Sequence, residues 1–149
     1  YTVTVRNCTS AGTLALYYDN SAEFTYAGGI MGYGHTVSIS NCYTSASANS
    51  YAYTSKAVGG GILGYAEISS TVKSCVVTGS GKVYGRDGGY AGTYTSIITT
   101  IRAQKKKHSK TYSSLGTDKS FYTATLGWSE TVWYLDEVES GKAPTLKKA

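Results

Sequence analysis

The sequence has one proline, one methionine and two phenylalanines in 149 residues, and charged side chains make up only 15% of it. Leucine is scarce as well, which argues against a helical bundle, whose seams need apolar side chains at helical spacing. No run of 18 apolar residues occurs, so no segment reads as a membrane-spanning helix, and no membrane insertion is expected. No secretory leader opens the chain. It begins at Tyr1 within Thr2-Val3-Thr4-Val5, which reads as a strand, so we expect a mature product or a monomeric piece excised from a longer chain. The metalloprotease signature His-Glu-x-x-His is missing, because neither His35 nor His108 precedes a glutamate. Cysteines number three, an odd set, so at least one has no partner within the chain.

What is abundant points the other way. Gly 18, Tyr 15 and a profusion of Ser and Thr, with hydrophobic content at 41%, are the palette of a β-protein. The length fits one domain with a real core. The net charge of +5 gathers around Lys105, Lys106, Lys107 and Lys110 and near Lys142, Lys147 and Lys148, so it describes two places rather than a surface.

Two motifs recur with one period. The first is Ala27-Gly28-Gly29-Ile30-Met31-Gly32-Tyr33, then Gly59-Gly60-Gly61-Ile62-Leu63-Gly64-Tyr65, then, more loosely, Asp87-Gly88-Gly89-Tyr90-Ala91-Gly92-Thr93. The second is Val5-Arg6-Asn7-Cys8, Ile39-Ser40-Asn41-Cys42 and Val72-Lys73-Ser74-Cys75. Self-similarity at a fixed period of about 20–50 residues marks repeat architectures. We therefore expect an all-β fold, a right-handed parallel β-helix (solenoid) of about four coils, with three short strands per period.

Stacked repeats give Cys8, Cys42 and Cys75 one column as small buried side chains. One disulfide, or metal ligation, are the other readings. Val5 and Cys8 are three apart, as are Ile39 and Cys42, so a turn must intervene for both to face inward. Asn7 and Asn41 suit that turn, because Asn tolerates left-handed φ. Gly29, Gly32, Gly61, Gly64, Gly89 and Gly92 permit tight bends or close backbone approach. Whether Ile30 and Ile62 or Met31 and Leu63 face inward stays open. A degraded fourth unit from Gly88 puts Ile97, Ile98 and Ile101 on its strand and Ala103 or Gln104 where the cysteine stood. Residues 1–110 thus read as repeats. Residues 111–149, with Trp128, Trp133 and the only proline, Pro144, read as an aromatic segment capping the open end of the stack.

The glycine and cysteine motifs together resemble the GLUG motif family, named for a Gly-Leu-hydrophobic-Gly core. Gly29-Ile30-Met31-Gly32 and Gly61-Ile62-Leu63-Gly64 carry the likeness, with Gly89-Tyr90-Ala91-Gly92 as a divergent copy. The stretch from Leu126-Gly127-Trp128 through Val132-Trp133-Tyr134-Leu135 to Pro144-Thr145-Leu146 is similar to the segment that ends such arrays. The resemblance implies a bacterial, extracellular or cell-surface module of adhesin-like proteins or of the non-catalytic part of IgA-specific metallopeptidases. It implies no catalytic residue, because the motif is structural.

No constellation reads as catalytic, so no enzyme and no cofactor is expected. A polysaccharide-cleaving β-helix needs clustered carboxylates, and Asp19, Glu23, Glu67, Asp87, Asp118 and Glu130 share no repeat position. Asp136-Glu137-x-Glu139 reads as a solvated loop or, less simply, a calcium site. Lys105, Lys106 and Lys107 form either a solvated loop or a contact for anionic glycan. Nucleic acid is disfavoured, since no aromatic residue interleaves with these lysines. Tyr33 and Tyr65, equivalent in the repeat, form either a packing ladder or a face for sugar rings. The expected function is non-catalytic, structural or adhesive, with a surface protein or glycan as partner. A carbohydrate-binding or polysaccharide-degrading domain is the alternative.

Overall fold

A computed structural model describes residues 2–16, 24–50, 57–68, 70–79, 84–87, 93–95, 97–99, 109–111 and 118–148. Among these the protein is all-β. The chain first runs through β1 (Thr2–Arg6), β2 (Thr9–Ser10), β3 (Thr13–Leu16), β4 (Thr25–Gly28) and β5 (Met31–Gly34). It continues through β6 (Thr36–Ser40), β7 (Tyr43–Thr44), β8 (Ser47–Ser50), β9 (Ala57–Gly60) and β10 (Leu63–Ala66). Then come β11 (Thr71–Lys73), β12 (Val76–Val77), β13 (Tyr84–Asp87), β14 (Thr93–Thr95), β15 (Ile97–Thr99) and β16 (Ser109–Thr111). Last are β17 (Trp133–Tyr134) and β18 (Thr145–Leu146). The second repeat therefore holds five short strands, β6 to β10, where the sequence suggested three.

Parallel pairing builds five sheets: β1-β6-β11-β14, β5-β10-β13, β2-β7-β12-β15-β16, β3-β8 and β4-β9. Registers carry the repeat. Val5 faces Ile39 and Thr9 faces Tyr43, a step of 34 residues. Val72 faces Ile39 and Val76 faces Tyr43, a step of 33. Tyr65 faces Tyr33, a step of 32. The mismatch between the last two steps is one extra residue in the segment before β11, and buried Ser70 absorbs it. Its Oγ accepts from the Val37 N–H (3.1 Å) and donates to the Ile68 carbonyl (3.0 Å), occupying a gap in the ladder.

The next steps shorten. Arg86 faces Tyr65 at a step of 21, Tyr94 faces Val72 at 22, and Lys110 faces Ile98 at 12. Only six residues separate β12 from β13, whereas the stretch between β7 and β10 accommodates β8 and β9. This corrects the expected fourth unit: the register puts Gly85 across from Gly64, and Ile97 rather than Ala103 or Gln104 across from Cys75. Gly89 and Gly92 lie outside the described residues, as do Lys105, Lys106 and Lys107. β16 also carries the parallel ladder across the expected boundary at residue 110.

Three sheets contribute to one dry core: Val37 and Ile39 from β6, Leu63 and Ala66 from β10, and Val77 from β12, joined by Ile62, Val72, Cys42 and Cys75. Each fully buried Val, Leu or Ile contributes about 1.5–3 kcal/mol relative to exposure. The open question about the glycine motif resolves in favour of both pairs: Ile62 and Leu63 are buried, and Ile30 and Met31 pack against the same core. A bend makes this possible. The Ile30 and Met31 N–H groups both donate to the Ile62 carbonyl at 3.0 Å, so two consecutive side chains turn inward. The bend needs bare backbone. A Cβ on Gly29 would strike the Gly61 carbonyl oxygen, and one on Gly64 would strike that of Gly32.

Residues 118–148 differ in kind. A wide helical turn at Phe121–Thr125, closed by the Leu126 N–H on the Phe121 carbonyl (3.1 Å), leads to the antiparallel pair β17–β18. Tyr122, Leu126, Trp128, Trp133, Leu135 and Val138 pack on Tyr43 and Val76, from β7 and β12 of two successive repeats. Strand alternation explains why: Thr44 and Val77 point into the core, so Tyr43 and Val76 point out, and a parallel sheet needs both faces covered. Among the described residues the expected capping segment thus braces a sheet face.

Candidate functional site

Two groupings of side chains stand out, and both follow from the register. The first is the corner that ends β1, β6 and β11. Asn7, Asn41 and Ser74 are left-handed there, with φ of 55°, 54° and 53°. An L-residue in this region costs roughly 1–2 kcal/mol, less for Asn, and in return the next side chain turns inward. Ladder bonds run through the corner: Asn7 N–H to Ser40 O (3.2 Å), Asn41 N–H to Lys73 O (3.3 Å), Tyr43 N–H to Cys8 O and Val76 N–H to Cys42 O (both 2.9 Å).

Cys8, Cys42 and Cys75 therefore superpose as a column of free thiols. Each Sγ donates to the carbonyl two residues earlier, at 3.4, 3.2 and 3.2 Å. The neighbouring Cys75 and Cys8 thiols draw the Cys42 thiol down to about 7 against the opposing effect of burial. Cys75 goes well above the usual thiol range, through the adjacent Cys42 first and its own burial second. Cys8 is raised mainly by burial. Cys42 and Cys75 are wholly buried, whereas Cys8 is partly exposed. On the outer side of the same corner, Trp128 Nε1 donates to the Ser74 carbonyl at 2.8 Å.

The second grouping is aromatic. Tyr33 and Tyr65 stack at 5.8 Å between centroids, as their shared repeat position suggested. Tyr26 stacks on Tyr65 at 4.8 Å and leans on Tyr33 at 5.5 Å, and Phe24 stacks on Tyr26 at 6.0 Å. Interplanar angles of 10–34° make this a slab of near-parallel rings, not the box of crossed rings that encloses a cationic ligand. Tyr33 is 51% exposed. Its hydroxyl donates to Glu67 Oε2 at 2.7 Å, which raises the phenol, and His35 Nε2 lies 3.8 Å from the same oxygen. The backbone of Arg86 holds the next register position after Tyr65.

Sequence reasoning found Tyr33 and Tyr65 but missed Tyr26, Phe24, His35 and Glu67. Alternation was the available signal for two of them: His35 and Glu67 stand two residues beyond the paired tyrosines and share their outward face. Tyr26 and Phe24 come from the neighbouring sheet, which no spacing discloses.

Elsewhere, side chains neutralise one another. Lys119 joins Glu130 (2.7 Å) and Asp136 (2.8 Å), and Lys142 joins Glu137 (2.7 Å), so the Asp136-Glu137 loop binds lysines at the surface. A cleft of about 350 Å³ lies between β2, β7 and the brace, lined by Thr9, Ser10, Ala11, Tyr43, Ser45, Ala143, Pro144 and Thr145. No protein-family model, no curated protein and no solved structure matches the chain.

Proposed function

We propose that the parallel sheets are the walls of one right-handed β-helix and that the chain is a non-catalytic, extracellular structural or adhesive module of a bacterial surface protein. A chain that returns to the same sheets every 32–34 residues follows a coil, and parallel crossovers are right-handed in nearly all cases. The observation carrying the reading is the superposition of equivalent residues: left-handed corner on corner, thiol on thiol, tyrosine on tyrosine. Nearly all of the motif residues are engaged with each other, so their role is to hold a shape. The likeness to GLUG arrays rests on Gly29-Ile30-Met31-Gly32 and Gly61-Ile62-Leu63-Gly64 and supports a surface location. The partner is a protein or a glycan, met at Tyr33, Tyr65 or the Lys105-Lys106-Lys107 run.

The second reading, a carbohydrate-binding or polysaccharide-degrading domain, has one observation in its favour: exposed Tyr33 beside Glu67 joins an aromatic ring to a carboxylate. Against it, the near-parallel rings cover one another's faces. A glycan array with wild type, Tyr33→Ala and Lys105/Lys106/Lys107→Ala separates the two. Binding to host or cell-wall material without turnover, weakened by either variant, fits the adhesive module. Release of reducing ends or unsaturated products from any polysaccharide overturns it.

A further inference from the structure

Among the described residues, the outward face of β1, β6 and β11 carries hydroxyls and cations but no carboxylate. Val5, Ile39 and Val72 point into the core, so alternation turns Thr4 and Arg6, Ser38 and Ser40, and Thr71 and Lys73 the other way. The registers align these six in two columns, Thr4 beside Ser38 beside Thr71 and Arg6 beside Ser40 beside Lys73. Strand spacing sets the Arg6 and Lys73 backbones about 10 Å apart, with Ser40 between them. A further strand beside β1 would extend this face rather than cover it. Hydroxyls elsewhere bond within the protein, as Ser10 does to Thr44, Ser70 to Ile68 and Tyr43 to Thr78. Those of Ser38, Ser40 and Thr71 have no partner among the described residues. Arg6 and Lys73 likewise meet no carboxylate there, whereas Lys119 and Lys142 do.

We propose that this face binds a linear acidic polysaccharide laid across the strands. Arg6 and Lys73 take its carboxylate or sulfate groups, and Ser38, Ser40 and Thr71 exchange hydrogen bonds with its sugar hydroxyls. Unopposed positive charge draws an anion to the face. A hydroxyl both donates and accepts, which matches a sugar hydroxyl in either sense. A ladder repeats its side chains at a fixed interval and holds them with little freedom to lose, which suits a polymer that repeats as well. No aromatic ring stands at these positions, so the face offers nucleic-acid bases nothing to stack on. The inference rests on the adhesive reading for the kind of partner, but it needs neither Tyr33 nor the Lys105-Lys106-Lys107 run.

The full chain is titrated by calorimetry with heparin, polygalacturonate, neutral dextran and single-stranded oligothymidylate, at low and high salt. We expect binding to heparin or polygalacturonate, the two telling sulfate from carboxylate, with salt weakening it and dextran giving none. Arg6→Glu/Lys73→Glu should weaken it roughly tenfold. Ser40→Ala/Thr71→Val keeps every charge and should still weaken it several-fold, while Lys105/Lys106/Lys107→Ala should change it far less. Far-ultraviolet circular dichroism checks that each variant keeps its strands. Absence of binding to both acidic polymers overturns the proposal and leaves the adhesive reading to its own glycan array. Loss confined to Lys105/Lys106/Lys107→Ala moves the contact to that run and overturns this site alone. Tighter binding to oligothymidylate, or indifference to Ser40→Ala/Thr71→Val, would mark a general attraction of a basic chain for polyanions and overturn it too.

Discussion

Residues 2–79 and residues 118–148 bury apolar surface by opposite means. In the repeats the core is aliphatic and small, from Val37, Ile39 and Leu63 to the thiols, and among the described residues no aromatic ring enters it. Order comes from ladders that place like over like. The brace is the reverse. Its order rests on a few large side chains: Trp128 and Trp133 stacked at 4.2 Å, Tyr122 at 5.3 Å from Trp128, and Phe121 edge-on to Tyr122. Periodic structure spreads stability thinly along the chain, whereas an aperiodic segment must concentrate it.

Trp133→Ala should be the most damaging change, at about 3–5 kcal/mol. Urea unfolding followed by both near-ultraviolet and far-ultraviolet circular dichroism checks it. If the two regions differ as described, the aromatic signal melts well before the β signal; coincident transitions would erase the distinction. Gly64→Ala comes next, at about 1–3 kcal/mol. Its Cβ meets backbone oxygens of Gly32 and Ala27, which cannot rotate aside, and the same urea curves should show the β signal weakened first.

Tyr122→Phe should stabilise by about 1 kcal/mol. The Tyr122 hydroxyl is buried and has no hydrogen-bond partner among the described residues. Burial pushes this phenol up to about 12, above its unfolded value near 10. Its contribution is therefore complete below about pH 10 and is lost as pH rises towards 12. Thermal melts at pH 8, 10 and 11 should show an alkaline loss in wild type that is reduced in Tyr122→Phe; identical losses would remove Tyr122 from the account. The smallest effect belongs to the corner. Ser74→Gly should raise stability by less than about 1 kcal/mol, because relief of roughly 1–2 kcal/mol of left-handed strain at φ of 53° outweighs the entropy of about 0.4–1 kcal/mol that glycine gives the unfolded chain.

Much of the repeat was legible in advance because its chemistry is local. Asn7-Cys8 and Asn41-Cys42 announce a left-handed corner with an inward thiol, and Tyr33 and Tyr65 announce their own pairing. The third glycine copy misled. Gly88-Gly89 looks like the motif, but the six residues between β12 and β13 bring Gly85 into register first, and chain length decides register where glycines are plentiful. The lateral seat of the brace was illegible for another reason. Tyr43 and Val76 are apolar and outward, yet nothing in the spacing says which distant segment covers them. Which side chains flank Tyr33 was hidden likewise, since Tyr26 arrives from another sheet.

Ser70 shows what kind of change the fold forgives. A supernumerary residue between two bends is taken up by one hydroxyl that stands in for a missing peptide group, and the two strands that follow still meet their partners in step. Insertions in the connections between strands should accordingly be survivable, whereas one residue added within a strand would turn every following side chain to the opposite face.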